Sequence, residues 1–148
     1  MKLLHFSIVV LLCLTFCGCG SGDSLNRCSV EGTVTLGGVP VDNGYVSFKP
    51  EPGTQCPDVA GQIKNGKFHI PQSAGPVAGS YSVTITASMP TGKKVKEPYT
   101  GKEVDEYKQL IPPQYTGETG KSLLNAKIVQ GKNTVDFNLE SDTKSTSK

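Results

Sequence analysis

Two histidines, His5 and His69, are the only imidazoles in the 148 residues, and they bound the available chemistry. A Ser-His-Asp relay would have to use His69, because His5 lies in an apolar N-terminal stretch. His69 alternates with Phe68 and Ile70, which puts it on the opposite face of a short strand as a solvated side chain. A metal centre needing two imidazoles from one chain is excluded. There is no Cys-x-x-Cys pair, no Asp-x-Asp-x-Asp-Gly calcium loop, no phosphate loop and no dinucleotide fingerprint. Glu103, Asp105 and Glu106 stand among Lys102 and Lys108, a pattern of mixed surface charge rather than a catalytic carboxylate pair. Lys49 and Asn138 have the side chains of an intramolecular isopeptide bond, but both alternate outward with polar neighbours. This inventory implies no enzyme, no metal and no cofactor.

The remaining reactive groups are five cysteines: Cys13, Cys17, Cys19, Cys28 and Cys56. The first three belong to the N-terminus. Residues 1–18 carry Lys2 and then an apolar run from Phe6 to Phe16. Eleven residues at ~1.5 Å each fall well short of a hydrocarbon core of roughly 30 Å, so the run reads as a secretory leader and not as a membrane span. The following Phe16-Cys17-Gly18-Cys19 resembles a bacterial lipobox. There a small residue precedes a cysteine that is acylated and becomes the mature N-terminus. Gly18 suits Cys19 to that role, whereas Phe16 before Cys17 does not; Phe16 also replaces the usual Leu. Three acyl chains at ~0.8 kcal/mol per buried CH₂ would anchor the chain firmly. Palmitate-type lipidation at Cys19 and a membrane-anchored, extracytoplasmic location are therefore expected. Cys28 and Cys56 are left as an even pair in an oxidising compartment, which makes a disulfide between them the expectation.

Fifteen basic residues against thirteen acidic ones give no basic footprint for nucleic acid. Seventeen Gly, ten Pro and no Trp point to short strands joined by turns. Four segments follow: leader 1–18, lipidated Cys19 with a flexible tether to residue 27, one domain over 28–140, and a polar tail 141–148. No internal repeat is present.

Alternation begins at Ser29–Leu36, with Val30, Val34 and Leu36 on one face. Tyr45–Lys49 puts Val46 and Phe48 inward. Val59–Ile63 and Lys67–Ile70 flank Lys64-Asn65-Gly66, a strong hairpin signal. Ser80–Ser88 turns Tyr81, Val83, Ile85 and Ala87 to one side. Leu124, Ala126 and Ile128 precede Gln130-Gly131-Lys132-Asn133, and Val135, Phe137 and Leu139 follow, so a second hairpin is expected to close the domain. About seven such strands make an all-β, antiparallel two-sheet sandwich, with a small barrel as the alternative.

Several motifs match in order and spacing. They are Val30-x-Gly32-x-Val34, Gly38-x-Pro40-Val41, Gly44-x-Val46-x-Phe48-x-Pro50, Gly79-x-Tyr81-x-Val83-x-Ile85, Ile111-Pro112-x-x-Tyr115 and Gly131-x-Asn133-x-Val135-x-Phe137-x-Leu139. Together, over about residues 29–140, they resemble the carboxypeptidase-regulatory, transthyretin-like β-sandwich of small lipoproteins in planctomycete-type bacteria. The resemblance implies a seven-stranded sandwich at the cell surface and no reaction. A purine-pathway hydrolase shares that architecture, but its histidines and its Tyr-Arg-Gly-Ser C-terminus are missing here.

Residues 89–123 form a long connection carrying Tyr99, Tyr107 and Tyr115 among lysines and prolines. Within it, Glu103–Leu110 could form two helical turns, with Val104, Tyr107 and Ile111 at helical spacing. A recognition loop is one reading of the segment, and a flap covering a sheet edge is the other. The functional expectation is a lipid-anchored, non-catalytic module binding an envelope protein. The alternative is a module that holds polysaccharide through the loop tyrosines, for which the missing Trp is a disadvantage.

Overall fold

The computed structural model describes residues 25–120 and 122–141. The leader, Cys19, the first part of the tether and nearly all of the polar tail lie outside the described residues. Eleven strands are present among those described: β1 (Ser29–Leu36), β2 (Val39–Pro40), β3 (Asn43–Pro50), β4 (Val59–Lys64), β5 (Lys67–Ile70), β6 (Gly79–Thr86), β7 (Ser88–Lys96), β8 (Glu103–Gln109), β9 (Leu124–Ile128), β10 (Lys132–Thr134) and β11 (Phe137–Leu139). A 3₁₀ turn at Gln72–Ala74 and one short helix, α1 (Pro113–Thr116), complete the set. The described residues are all-β, as their alternation requires.

The strands come from local pattern. In β6 the side chains of Tyr81, Val83 and Ile85 are all buried, while the serines and threonines between them face out. β4 and β5 join through Asn65 and Gly66, whose φ values of 49° and 73° are the paired left-handed conformations of a tight hairpin turn. Inward side chains meet around Phe48, whose ring lies 6.2 Å from Phe68, 6.2 Å from Tyr81 and 6.4 Å from Phe137.

Most strands belong to one curled sheet in the order β10-β1-β5-β4-β3-β6-β9, with β2 and β11 also paired to β1. Gly61 of β4 permits the curl at its middle. A Cβ there would come within 2.7 Å of the Ile70 side chain, which occupies the vacated space. The two sheet edges are drawn together by the chain itself. β9 ends at Ile128 and β10 begins at Lys132, so the link reaches at most about 14 Å.

That link corrects the sequence reading. No second hairpin forms, because β9 pairs antiparallel with β6 while β10 and β11 pair with β1, and in parallel. The sheet is thus not purely antiparallel. Asn133 holds the crossing: its Nδ2 donates to the Val129 and Ser29 carbonyls at 2.9 and 3.3 Å, and its Oδ1 accepts from the Val129 N–H at 2.9 Å. Covering β1 satisfies an edge that a hairpin on β9 would have left open. Gly32 lets the closing segment lie flat, since a Cβ there would stand 1.8 Å from the Val135 carbonyl oxygen.

The pairing also sets a polarity. β1 and β6 run the same way through the alternating antiparallel path. Their starts share one pole, where Cys28 N–H donates to the Pro76 carbonyl and the Arg27 guanidinium to the Gly75 carbonyl, both at 2.7 Å. The end of β6 lies at the opposite pole.

Candidate functional site

At that far pole the chain leaves the sheet as a ribbon of β7 and β8 alone. Leu110 N–H donating to the Ala87 carbonyl (2.8 Å) and Ala87 N–H donating to Gln109 Oε1 (3.2 Å) clamp its base. At the tip Glu97 N–H donates to the Lys102 carbonyl, and Gly101, at φ 66°, allows the reversal. A bulge between Pro90 and Lys94 contains Gly92 at φ 77°. The two helical turns expected over Glu103–Leu110 are therefore a strand. Facing pairs explain the preference: Val95 against Val104, Lys94 against Asp105 and Lys96 against Glu103.

Every residue of β7 is exposed. Register divides the side chains into two faces. One carries Met89, Val95 and Val104, with Thr91 Oγ1 donating to Glu106 Oε2 at 2.6 Å. The other carries Pro90 beside Tyr107 and the Lys94–Asp105 ion pair, 3.9 Å long and too exposed to add much stability. At nine residues and about 3.3 Å per residue, the ribbon reaches on the order of 30 Å.

The three loop tyrosines occupy three different settings. Tyr99 is at the tip and 97% exposed, and Tyr107 is 62% exposed on the ribbon. Tyr115, on α1, packs against the core, and its hydroxyl accepts the Glu140 N–H at 3.4 Å. They make no common platform.

At the N-terminal pole Cys28 is wholly buried and Cys56 half-buried, and both are free thiols; the expected bridge is not formed. Their neighbour is Tyr81, whose hydroxyl donates to the Val77 carbonyl at 2.9 Å. Burial foremost, and then the hydrogen-bonded Cys56 thiol, push the Tyr81 hydroxyl well above the ordinary phenol range.

A groove of about 790 Å³, lined mostly by polar residue types, lies on the outer side of β1, β4 and β5. Sequence reasoning placed His69 on a solvated face but had no means of assembling this surface. Gly32 and Phe68 contribute to its lining together with polar side chains from four strands and the β10–β11 link. His69 Nδ1 stands 3.6 Å from Glu31 Oε2, its direct cross-strand partner. Asp136 Oδ1 accepts from the Thr33 N–H at 2.8 Å and from Thr33 Oγ1 at 2.7 Å. The hydroxyl and the backbone N–H of Thr33 together hold the Asp136 carboxyl below the usual carboxylate range. Lys64 and Lys67 face each other directly across the hairpin. Among the described residues no cluster of His, Cys, Asp and Glu suited to a metal ion occurs.

No protein-family profile and no curated protein matches this chain. Among solved structures it is similar to a proposed carbohydrate-binding protein from Pseudomonas aeruginosa, at 12% identity and a TM-score of 0.42, over 80% of this chain and 92% of that one. It is also similar to part of a 9R-lipoxygenase from Cyanothece, at 11% identity and a TM-score of 0.39, over 83% of this chain and 18% of that one.

Proposed function

We propose that the chain is a lipid-anchored, extracytoplasmic module that binds another envelope protein through the β7–β8 ribbon and catalyses no reaction. In this reading residues 1–18 are a lipoprotein leader and Cys19 is acylated. The curled sheet is a carboxypeptidase-regulatory, transthyretin-like sandwich, with β10–β11, β1 and β5 opposing β4, β3, β6 and β9.

One observation carries the reading: the tether and the ribbon leave opposite poles of the domain. A chain held at its N-terminus would present the ribbon away from the membrane, at the greatest reach the domain allows. The ribbon offers what a partner uses. Tyr99 and Tyr107 are large exposed aromatics, Met89, Val95 and Val104 expose apolar side chains on one face, and among the described residues both outer edges of the ribbon are unpaired.

The test is cross-linking in the native host, comparing the full chain with one in which residues 89–108 are replaced by Gly-Gly. The expected result is one protein captured reproducibly at Lys93–Lys108 and lost with the ribbon. Ribbon lysines that react but join nothing, or a partner retained without the ribbon, would overturn the reading. For the anchor, Cys19→Ser is expected in the soluble fraction, and a variant still bound to membrane sinks that half.

A further inference from the structure

We infer that the outer groove over β1, β4 and β5 is a second and separate binding site, for a carboxylate-bearing saccharide chain. Polysaccharide binding through the loop tyrosines lacks a shared surface, because Tyr99, Tyr107 and Tyr115 are dispersed over the ribbon and α1. The groove has the complementary chemistry in one place.

Its charges are sorted. At one margin, Glu31 stands 3.6 Å from His69 Nδ1, and Asp136 accepts from both donors of Thr33. At the other, Lys64 and Lys67 stand opposite each other, and neither has a carboxylate within ion-pairing distance among the described residues. Two like charges in facing positions of a hairpin repel, so this arrangement is an intrinsic cost to the fold that an external anion would relieve. A saccharide carboxylate fits there, between two ammonium groups.

The rest of the lining suits hydroxyls. Gln62 and Thr134 each offer donor and acceptor atoms, and the Glu31 and Asp136 carboxylates have further lone pairs to accept from sugar hydroxyls. Tyr45, directly opposite Gln62 on β3 and 56% exposed, borders this surface with an aromatic ring on which a sugar can stack. The volume of about 790 Å³ is that of a small-ligand site and holds a few sugar rings.

The experiment uses purified full-length protein in detergent and calorimetric titration with a tetramer of galacturonate. Saturable binding is expected. It should weaken at least tenfold in the double variant Lys64→Gln/Lys67→Gln and severalfold in Tyr45→Ala. Lys49→Gln, on the outer face of β3, should leave it unchanged, as should replacement of residues 89–108 by Gly-Gly. Thermal melts that superimpose on the parent show that these surface variants fold. Several results would overturn the inference: no saturable binding, equal affinity for a neutral glucan tetramer, preference for a sulfated tetramer lacking carboxylates, or binding indifferent to the two lysines. Because the ribbon replacement is expected to retain saccharide binding, failure here leaves protein docking standing, and failure there leaves this site standing.

Discussion

Replacing Gly32 by Ala tests the parallel closure of the sheet. A Cβ on residue 32 would lie 1.8 Å from the Val135 carbonyl oxygen and 2.7 Å from its carbon. Ordinary contact begins near 3.4 Å, so the β10–β11 link must retreat by about 1.5 Å, and backbone cannot swing aside as a side-chain tip can. Overpacking of this kind costs about 1–3 kcal/mol. The Val135 N–H to Glu31 carbonyl bond, 2.9 Å long, stretches out of range and adds about 1 kcal/mol. The expected total is about 3 kcal/mol, or roughly a 10 °C fall in Tm for a domain of this size. Urea titration and thermal melting measure it, with Glu31→Ala, an exposed change in the same strand, as the control. Amide exchange at Val135 and Phe137 should accelerate in the variant. A melt unchanged from the parent would refute the placement of residues 135–139 beside β1 and restore the hairpin that local sequence favours.

Three further outcomes are expected. Phe48→Ala, which removes the ring common to the contacts with Phe68, Tyr81 and Phe137, should cost about 3–5 kcal/mol by urea titration. Tyr81 has its folded pKa raised, so above the unfolded value near 10 the unfolded chain releases a proton that the folded chain keeps. Stability contributed by the neutral phenol is then full below about pH 10 and falls as pH rises; urea midpoints of Tyr81→Phe should decline less steeply there than those of the parent. Asp136 has its folded pKa lowered, so its contribution is present above the unfolded value near 3.9 and fades as pH falls through the folded one. Between pH 5 and pH 3 the midpoint of Asp136→Asn should therefore drop less than the parent's; an equal drop would place the responsible carboxyl elsewhere.

For β1, β3, β4, β5, β6 and β9 the sequence by itself determined the strand and which of its side chains point inward. Alternation is a property of neighbours two apart, so Val46 and Phe48, or Tyr81, Val83 and Ile85, are assigned to the core by the pleat alone. The Asn65-Gly66 reversal is equally local, because it depends on two residues that tolerate positive φ. Tertiary structure decided the rest. Ser29 meets Lys132 because the open edge of β1 needs cover and the short link from β9 brings a strand to it, a choice between distant edges that no local pattern encodes. Glu103–Gln109 has helical spacing in isolation, and only a facing strand with opposed charges makes it extended. Packing set Cys28 deep in the core and Cys56 at its margin as free thiols, with Tyr81 beside them. The outer groove exists only once four strands and the β10–β11 link stand side by side. His69, Lys64 and Lys67 were legible as solvated residues, but their shared surface with Glu31 and Asp136 is a product of register across strands up to a hundred residues apart.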